Sequence, residues 1–257
     1  MNFSIKNIIV NYYLLQTDFL SSTIKGALIK QLFQLVMKFD ERKYSLKTVE
    51  GSISTRSVHP ENPIAMLILA HGAGAGIEHQ FMVDIQQEMA KVGLASFAFN
   101  FLSREQGKGV PFRMTRPIKT YVEVWDYAAE TYNLPQFAAG KSYGGRVGSM
   151  AVDQLSNCKG LIFLGYPFHP PGKLEKLRTE HLYNINLPML FLQGTRDALS
   201  TADIANKFID EHKPAKIVWL EDGEHSWKPR KKTGLTQKDL MINSCKEMRG
   251  FCLSILT

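Results

Sequence analysis

The sequence predicts an α/β protein with a mainly parallel, doubly wound sheet and helices on both faces. Three observations carry this expectation. Short apolar runs recur at Ile64–Ala70, Leu94–Phe99, Leu161–Gly165 and Pro188–Leu192, and a strand apolar on both sides is one buried on both faces. Stretches with helical apolar spacing separate these runs. Glycine-rich or polar turns follow the strands, and strands alternating with helices wind through right-handed crossovers.

Taken in order, Tyr44–Val58 reads as one or two edge strands around a turn at Glu50-Gly51. Ile64–Ala70 is a buried strand, followed by a glycine-rich turn at 72–76 and a helix over His79–Val92. Leu94–Phe99 is the next buried strand. Residues 100–117, with Gly107, Gly109 and Pro111, read as a polar loop, and Lys119–Tyr132 as a helix. Phe137–Gly140 is a short strand and Gly144–Leu155 a helix. Leu161–Gly165 leads into a proline-rich segment that is too short before Pro188 to build a large lid domain. Pro188–Leu192 is a strand and Ala202–His212 a helix, with Ser200 and Asp203 resembling a capping box. Ile217–Leu220 is the last strand and Gln237–Leu253 the last helix.

One α/β domain is expected over residues 41–257. Residues 1–40 are expected as a separate extension, helical over 24–39, where Leu28, Leu32, Leu35 and Val36 recur at helical spacing. Met37 is an alternative first residue, and the N-terminus lacks the unbroken apolar stretch and cleavage site of a secretory signal.

Composition excludes several classes. With 257 residues, 44% hydrophobic and 21% charged, the chain is not disordered, collagenous or a coiled coil. No apolar run approaches the ~20 residues of a membrane helix, so no membrane insertion is expected. The net charge of +7 is scattered, apart from a cluster at Lys228, Arg230, Lys231 and Lys232. That pattern reads as a solvated basic surface, with no nucleic-acid partner expected. Three cysteines without a CxxC pair argue against a disulfide framework or a zinc site and for a reducing, cytoplasmic setting. No cofactor or metal is expected, and the oligomeric state is not readable from the sequence.

The chemistry is carried by Gly140-Lys141-Ser142-Tyr143-Gly144, a G-x-S-x-G pattern between an apolar strand and a helix-forming stretch. A sharp turn there holds Ser142 above the sheet, beside a helix N-terminus, and the flanking glycines remove side chains that would collide. A serine hydroxyl is a weak nucleophile and needs a base within reach. His225, in the loop after Ile217–Leu220, is the best placed of the seven histidines. Asp197, directly after Pro188–Leu192, is the acid expected to orient it, with Asp222 as the alternative. The order Ser142, Asp197, His225 is that of an α/β-hydrolase. Two backbone donors would complete an oxyanion hole: the N–H of Tyr143 and that of Ala73, in the loop His71-Gly72-Ala73-Gly74-Ala75-Gly76. A dinucleotide loop would instead need G-x-G-x-x-G and an acid after the next strand, where Asn100 stands.

On these residues the chain resembles α/β-hydrolase-fold serine hydrolases of the small, lid-less, dienelactone-hydrolase-like kind. More narrowly it is similar to the hydrolase-like family that contains the testis-expressed thirty protein and subunit three of the non-specific lethal complex. The matching stretches are His71–Met82, Phe99–Phe101, Gly140–Gly145, Tyr166–Leu182, Phe191–Asp197 and Asp222–Trp227. The resemblance covers about residues 45–254 and implies the α/β-hydrolase fold and a serine hydrolase with no firm substrate; the Ser-His-Asp reading makes a small-molecule acyl substrate the expected partner. The dienelactone branch proper uses cysteine at the elbow, so its exact activity does not carry over to Ser142. Some eukaryotic relatives are complex subunits, which gives the alternative of a catalytically silent scaffold and protein-interaction module.

An open site is expected, with substrate contacts from Gly72, Gly74, Phe101, Phe168 and Trp227, and further walls from Leu102, Tyr143 and His169. Arg104, Arg113, Arg116 and the Lys228–Lys232 cluster either point to water or favour an anionic group on the substrate.

Overall fold

The structure is a computed structural model that describes residues 39–257, apart from Phe112 and Lys213. The extension expected over residues 1–40, with its helix at 24–39, lies almost wholly outside the described residues.

Eight strands form one sheet in the order β1-β2-β4-β3-β5-β6-β7-β8. They are β1 Asp40–Thr48, β2 Gly51–His59, β3 Ala65–Ala70, β4 Leu94–Phe99, β5 Gln136–Lys141, β6 Leu161–Leu164, β7 Met189–Gly194 and β8 Ala215–Leu220. The described helices are α1 Gln80–Lys91, α2 Leu102–Glu105, α3 Thr115–Thr131, α4 Tyr143–Ala151, α5 Ala202–Glu211 and α6 Gln237–Leu256. Strands β3 to β8 are parallel, and β2 joins them antiparallel to β4. This is the mainly parallel sheet that the apolar runs predict, and among the described residues no large lid interrupts it.

Alternate residues of each central strand feed opposite faces. On β3, Leu67 and Leu69 join Ile85 of α1 and Met248 of α6 in one core layer. Met66 and Ile68 join Tyr121 and Trp125 of α3, Val147 of α4 and Phe208 of α5 in the other. Helices therefore cover both faces. Tyr121 also ties α3 to the middle of the sheet: its hydroxyl donates to the Ile68 carbonyl at 2.7 Å and accepts from the Ala139 N–H at 2.9 Å.

Three local expectations are corrected. Strand β2 is not an edge strand, because β1 takes the edge and β2 lies inside it. Its charged residue shows how far inside it lies: Arg56 is only 1% exposed, with its guanidinium held by Glu41 at 2.9 and 3.0 Å and by Gln86 at 2.9 Å. Residues 100–117 are not all loop, since α2 occupies Leu102–Glu105 and α3 begins at Thr115. Pro117 sits in the first turn of α3, where a missing N–H costs nothing. No Ser200–Asp203 capping box forms; Thr201 is the N-cap of α5 and Ser200 is buried. The capping box is on α6, between Thr236 and Asp239.

The consequence for function is positional. The loops after β3, β5, β7 and β8 all leave the carboxyl edge of one parallel sheet, the edge where such sheets bind ligands.

Candidate active site

The turn between β5 and α4 is fixed by what its glycines lack. A Cβ at Gly140 would stand 2.7 Å from the Gly144 carbonyl oxygen, and one at Gly144 would stand 2.6 Å from the His71 carbonyl oxygen. Neither position tolerates a side chain. The chain therefore turns sharply, and Ser142 takes φ 51° and ψ −112°, a left-handed backbone that non-glycine residues seldom adopt. Its N–H donates to the Leu164 carbonyl at 3.1 Å, which anchors the strained residue to β6.

Ser142, His225 and Asp197 come together in a hydrogen-bonded line. The His225 Nε2 lies 2.9 Å from Ser142 Oγ, and Nδ1 lies 2.8 Å from Asp197 Oδ2. A carboxylate only accepts, so Nδ1 carries the proton and Nε2 is left to accept from the Ser142 hydroxyl. Asp197 is buried, and its remaining capacity is filled by Gln193 Nε2 at 2.6 Å and the Leu199 N–H at 2.8 Å. The imidazole keeps 27% of its surface exposed, so the line opens to solvent at its reactive end.

The other acid weighed for this place, Asp222, is engaged elsewhere. Its carboxylate accepts from the Arg230 N–H at 2.6 Å and Nε at 2.7 Å, and it pairs with Arg196 at 3.4 Å. The Arg230 side chain and N–H, with Arg196, hold that carboxyl down to about 2. Asp222 thereby shapes the loop that presents His225.

The loop after β3 passes against the nucleophile. A Cβ at Gly72 would come within 3.8 Å of Ser142 Cβ, while one at Gly74 would have nothing within 4 Å. Ala73 and Gly74 are exposed and Gly72 is buried. His71 braces this loop: Nδ1–H donates to the Gly72 carbonyl at 2.7 Å, and Nε2 accepts from the Phe101 N–H at 3.1 Å. Burial lowers the basicity of His71, which keeps the ring in the neutral form that these bonds require. Asn100, at the position where a dinucleotide site needs an acid, accepts instead from the Ile77 N–H at 2.9 Å. The N–H of Tyr143 opens α4 and has no carbonyl of its own helix to bind.

The aromatic residues expected as substrate contacts sit deeper than that. Phe101 is 2% exposed and packs on His71, Phe99 and Tyr143. Phe168 is fully buried among Tyr166, Phe191 and Phe208. Trp227 is fully buried against Phe81, with its ring N–H unpartnered. These rings support the loops from behind and present no surface to a ligand in this conformation.

One group went unnoticed in the sequence. Lys141, the unspecified position before Ser142, is buried and donates from Nζ to the His225 carbonyl at 2.7 Å. Its ammonium lies 5.7 Å from the centre of the Phe81 ring. Burial pushes Lys141 down to about 8, although the Asp197 and Glu224 charges favour the protonated form. The strand that ends in Ser142 is thus tied to the loop that carries His225.

Among the described residues, no group of three His, Cys, Asp or Glu is placed to hold a metal ion, and no helix is long and apolar enough to cross a membrane. All three cysteines are buried free thiols.

Comparison with known proteins follows the same outline. The family described as "Alpha/beta hydrolase domain" matches residues 63–253. Among solved structures, a dienelactone hydrolase from Anabaena variabilis superposes with a TM-score of 0.66 at 16% identity, over 81% of this chain and 96% of that one. An alpha-beta serine hydrolase homologue from Coxiella burnetii gives 0.61 at 15%, over 84% and 97%. Est1E from Butyrivibrio proteoclasticus with ferulic acid bound gives 0.66 at 15%, over 83% and 99%. At these identities the likeness is one of fold.

Proposed function

Because this chain belongs to the alpha/beta hydrolase domain family, we propose that it is a serine hydrolase that cleaves a carboxylic ester, thioester or related acyl bond of a small molecule. The observation that carries this reading is the hydrogen-bonded line from Ser142 through His225 to Asp197 at the start of α4. Esterases and a dienelactone hydrolase among the structural neighbours support the same reaction class. The motifs around Gly140–Gly145 and Tyr166–Leu182 favour the branch of the testis-expressed thirty protein within that family.

In this mechanism Ser142 Oγ attacks the acyl carbon while His225 Nε2 takes its proton. Asp197 holds the imidazole in the required tautomer and stabilises its charged form. The Tyr143 and Ala73 N–H groups bind the developing oxyanion, a contribution of about 3 kcal/mol per donor. His225 returns the proton to the leaving group, and the acyl group stays on Ser142. Water, activated by His225, then releases the acid. Gly72 and Gly74 leave room for the substrate beside the oxyanion donors.

Labelling with a fluorophosphonate, read by intact mass, tests the proposal. Wild type is expected to take up one adduct and Ser142→Ala none. Folded wild type that stays unlabelled overturns the proposal in favour of a silent scaffold.

A further inference from the structure

On α4, the helix that follows Ser142, and in the β6–β7 connection over it, stand two arginines that have no carboxylate partner among the described residues. Tyr143, Arg146 and Ser149 lie three residues apart on α4, so they share one face of the helix. At the far end of that face, Ser149 Oγ lies 2.8 Å from His181 Nε2 in the β6–β7 connection. Arg178 is three residues earlier in the same connection, and its carbonyl accepts from the Tyr166 hydroxyl at 2.8 Å. The connection therefore lies over this face and brings Arg178 to Arg146. Arg178 feels the encounter: its basicity is lowered by burial and then by the Arg146 charge. Burial, followed by Arg146, also takes His181 down to about 4, so His181 is neutral near pH 7.

Among the described residues neither guanidinium has a carboxylate partner, and Arg146 Nε is buried without a hydrogen bond. The Tyr143 hydroxyl is also buried and unpartnered. Burial pushes that phenol up to about 12, so it stays a donor at neutral pH. Like charges brought together out of water are unfavourable until an anion joins them, and guanidinium donors fit a carboxylate in a bidentate manner.

The geometry points to an anion subsite made by Arg146 and Arg178, which takes a carboxylate on the acyl part of the substrate. This rests on the serine-hydrolase reading, because the acyl part is what remains on Ser142. Arg146 stands one helical turn beyond Ser142, about 6 Å along the axis. That span suits a carboxylate a few carbons from the scissile carbonyl, as in a half-ester of a short dicarboxylic acid. These arginines differ from Arg104, Arg113 and Arg116, the cations that the sequence singles out.

The test compares mono-4-nitrophenyl glutarate with 4-nitrophenyl butyrate on the full chain. The ratio of kcat/KM for the charged ester to that for the neutral one is expected to fall about tenfold or more in Arg146→Met and in Arg178→Met, the loss of a charge-assisted hydrogen bond. Each ratio is internal to one protein, so a loss of folded material cancels. An unchanged ratio overturns the inference. Calorimetric titration of Ser142→Ala with free glutarate reads the subsite without catalysis. Binding that disappears when Arg146→Met is added supports it; equal binding in both proteins, or binding in neither, overturns it. If neither ester is cleaved while glutarate binding still depends on Arg146, the hydrolase reading falls and the anion subsite stands.

Discussion

The two loops that present Ser142 and His225 are held by opposite means. The β5–α4 turn is held by exclusion: Gly140 and Gly144 let backbone press on backbone until one path is left. The β8–α6 loop is held by attachment. Asp222 binds Arg230 and Arg196, Glu224 accepts from the Ser226 N–H at 2.9 Å, Gln237 Nε2 reaches the Ser226 carbonyl, and Lys141 reaches that of His225. Exclusion is all-or-none and independent of pH. Attachment is graded and titratable. A single extra methyl should destroy the first arrangement, while the second should loosen by degrees.

The harshest way to break the contrast is Gly144→Ala. Its Cβ would meet backbone of β3 and His71, which cannot yield as a flexible side chain does. A stability loss of about 3 kcal/mol or more is expected in urea unfolding, with fluorophosphonate labelling of Ser142 abolished.

A graded effect is expected at Lys141. The group is a positioning residue in this reading, so Lys141→Met should lower kcat about tenfold with little change in KM, as the His225 carbonyl loses a charged donor. The stability signature has a definite sign. The folded-state value of about 8 lies below the ordinary 10.5, so the folded protein holds its proton less tightly than the unfolded chain. The cost of burying the ammonium is full below about pH 8 and is relieved as pH rises towards 10.5. Wild type should therefore gain on Lys141→Met by about 3 kcal/mol across that window. Denaturant unfolding of both proteins at several pH values checks this; parallel curves would remove the buried charge from the account.

The mildest change sharpens the comparison from within one residue type. Gly74 has open space where its Cβ would stand. Gly74→Ala should shift stability by less than about 0.5 kcal/mol, measured by thermal melting. For stability, glycine matters at 144 for contact and at 74 not at all.

The same contrast explains what was legible in the sequence. Exclusion leaves a local mark, the spacing of Gly140, Ser142 and Gly144, and the central strands leave theirs as apolar runs such as Met66–Leu69. Attachment leaves none. The partner of Lys141 is a carbonyl 84 residues away, and any residue supplies a carbonyl. Its place directly after β7 favours Asp197 over Asp222 in the sequence, but the hold of Arg196 and Arg230 on Asp222 is not legible there. The counter-charge that buries Arg56 in β2 comes from Glu41 on another strand, so its burial is not legible locally. Phe168 and Trp227 read as walls of a site, since a loop aromatic that props a backbone has the same local pattern as one that faces a ligand. The first turn of α3 was hidden by Pro117, a residue that ends helices more often than it sits inside one.

The backbone of Ser142 carries a further meaning. A serine at φ 51° and ψ −112° is held about 1–3 kcal/mol above a relaxed conformation. That free energy comes from the rest of the fold, which must be stable enough to keep it there. The strained backbone therefore lasts only as long as the packing around it. The chemical reactivity of Ser142 is a gauge of the integrity of the whole sheet, lost when the sheet is lost.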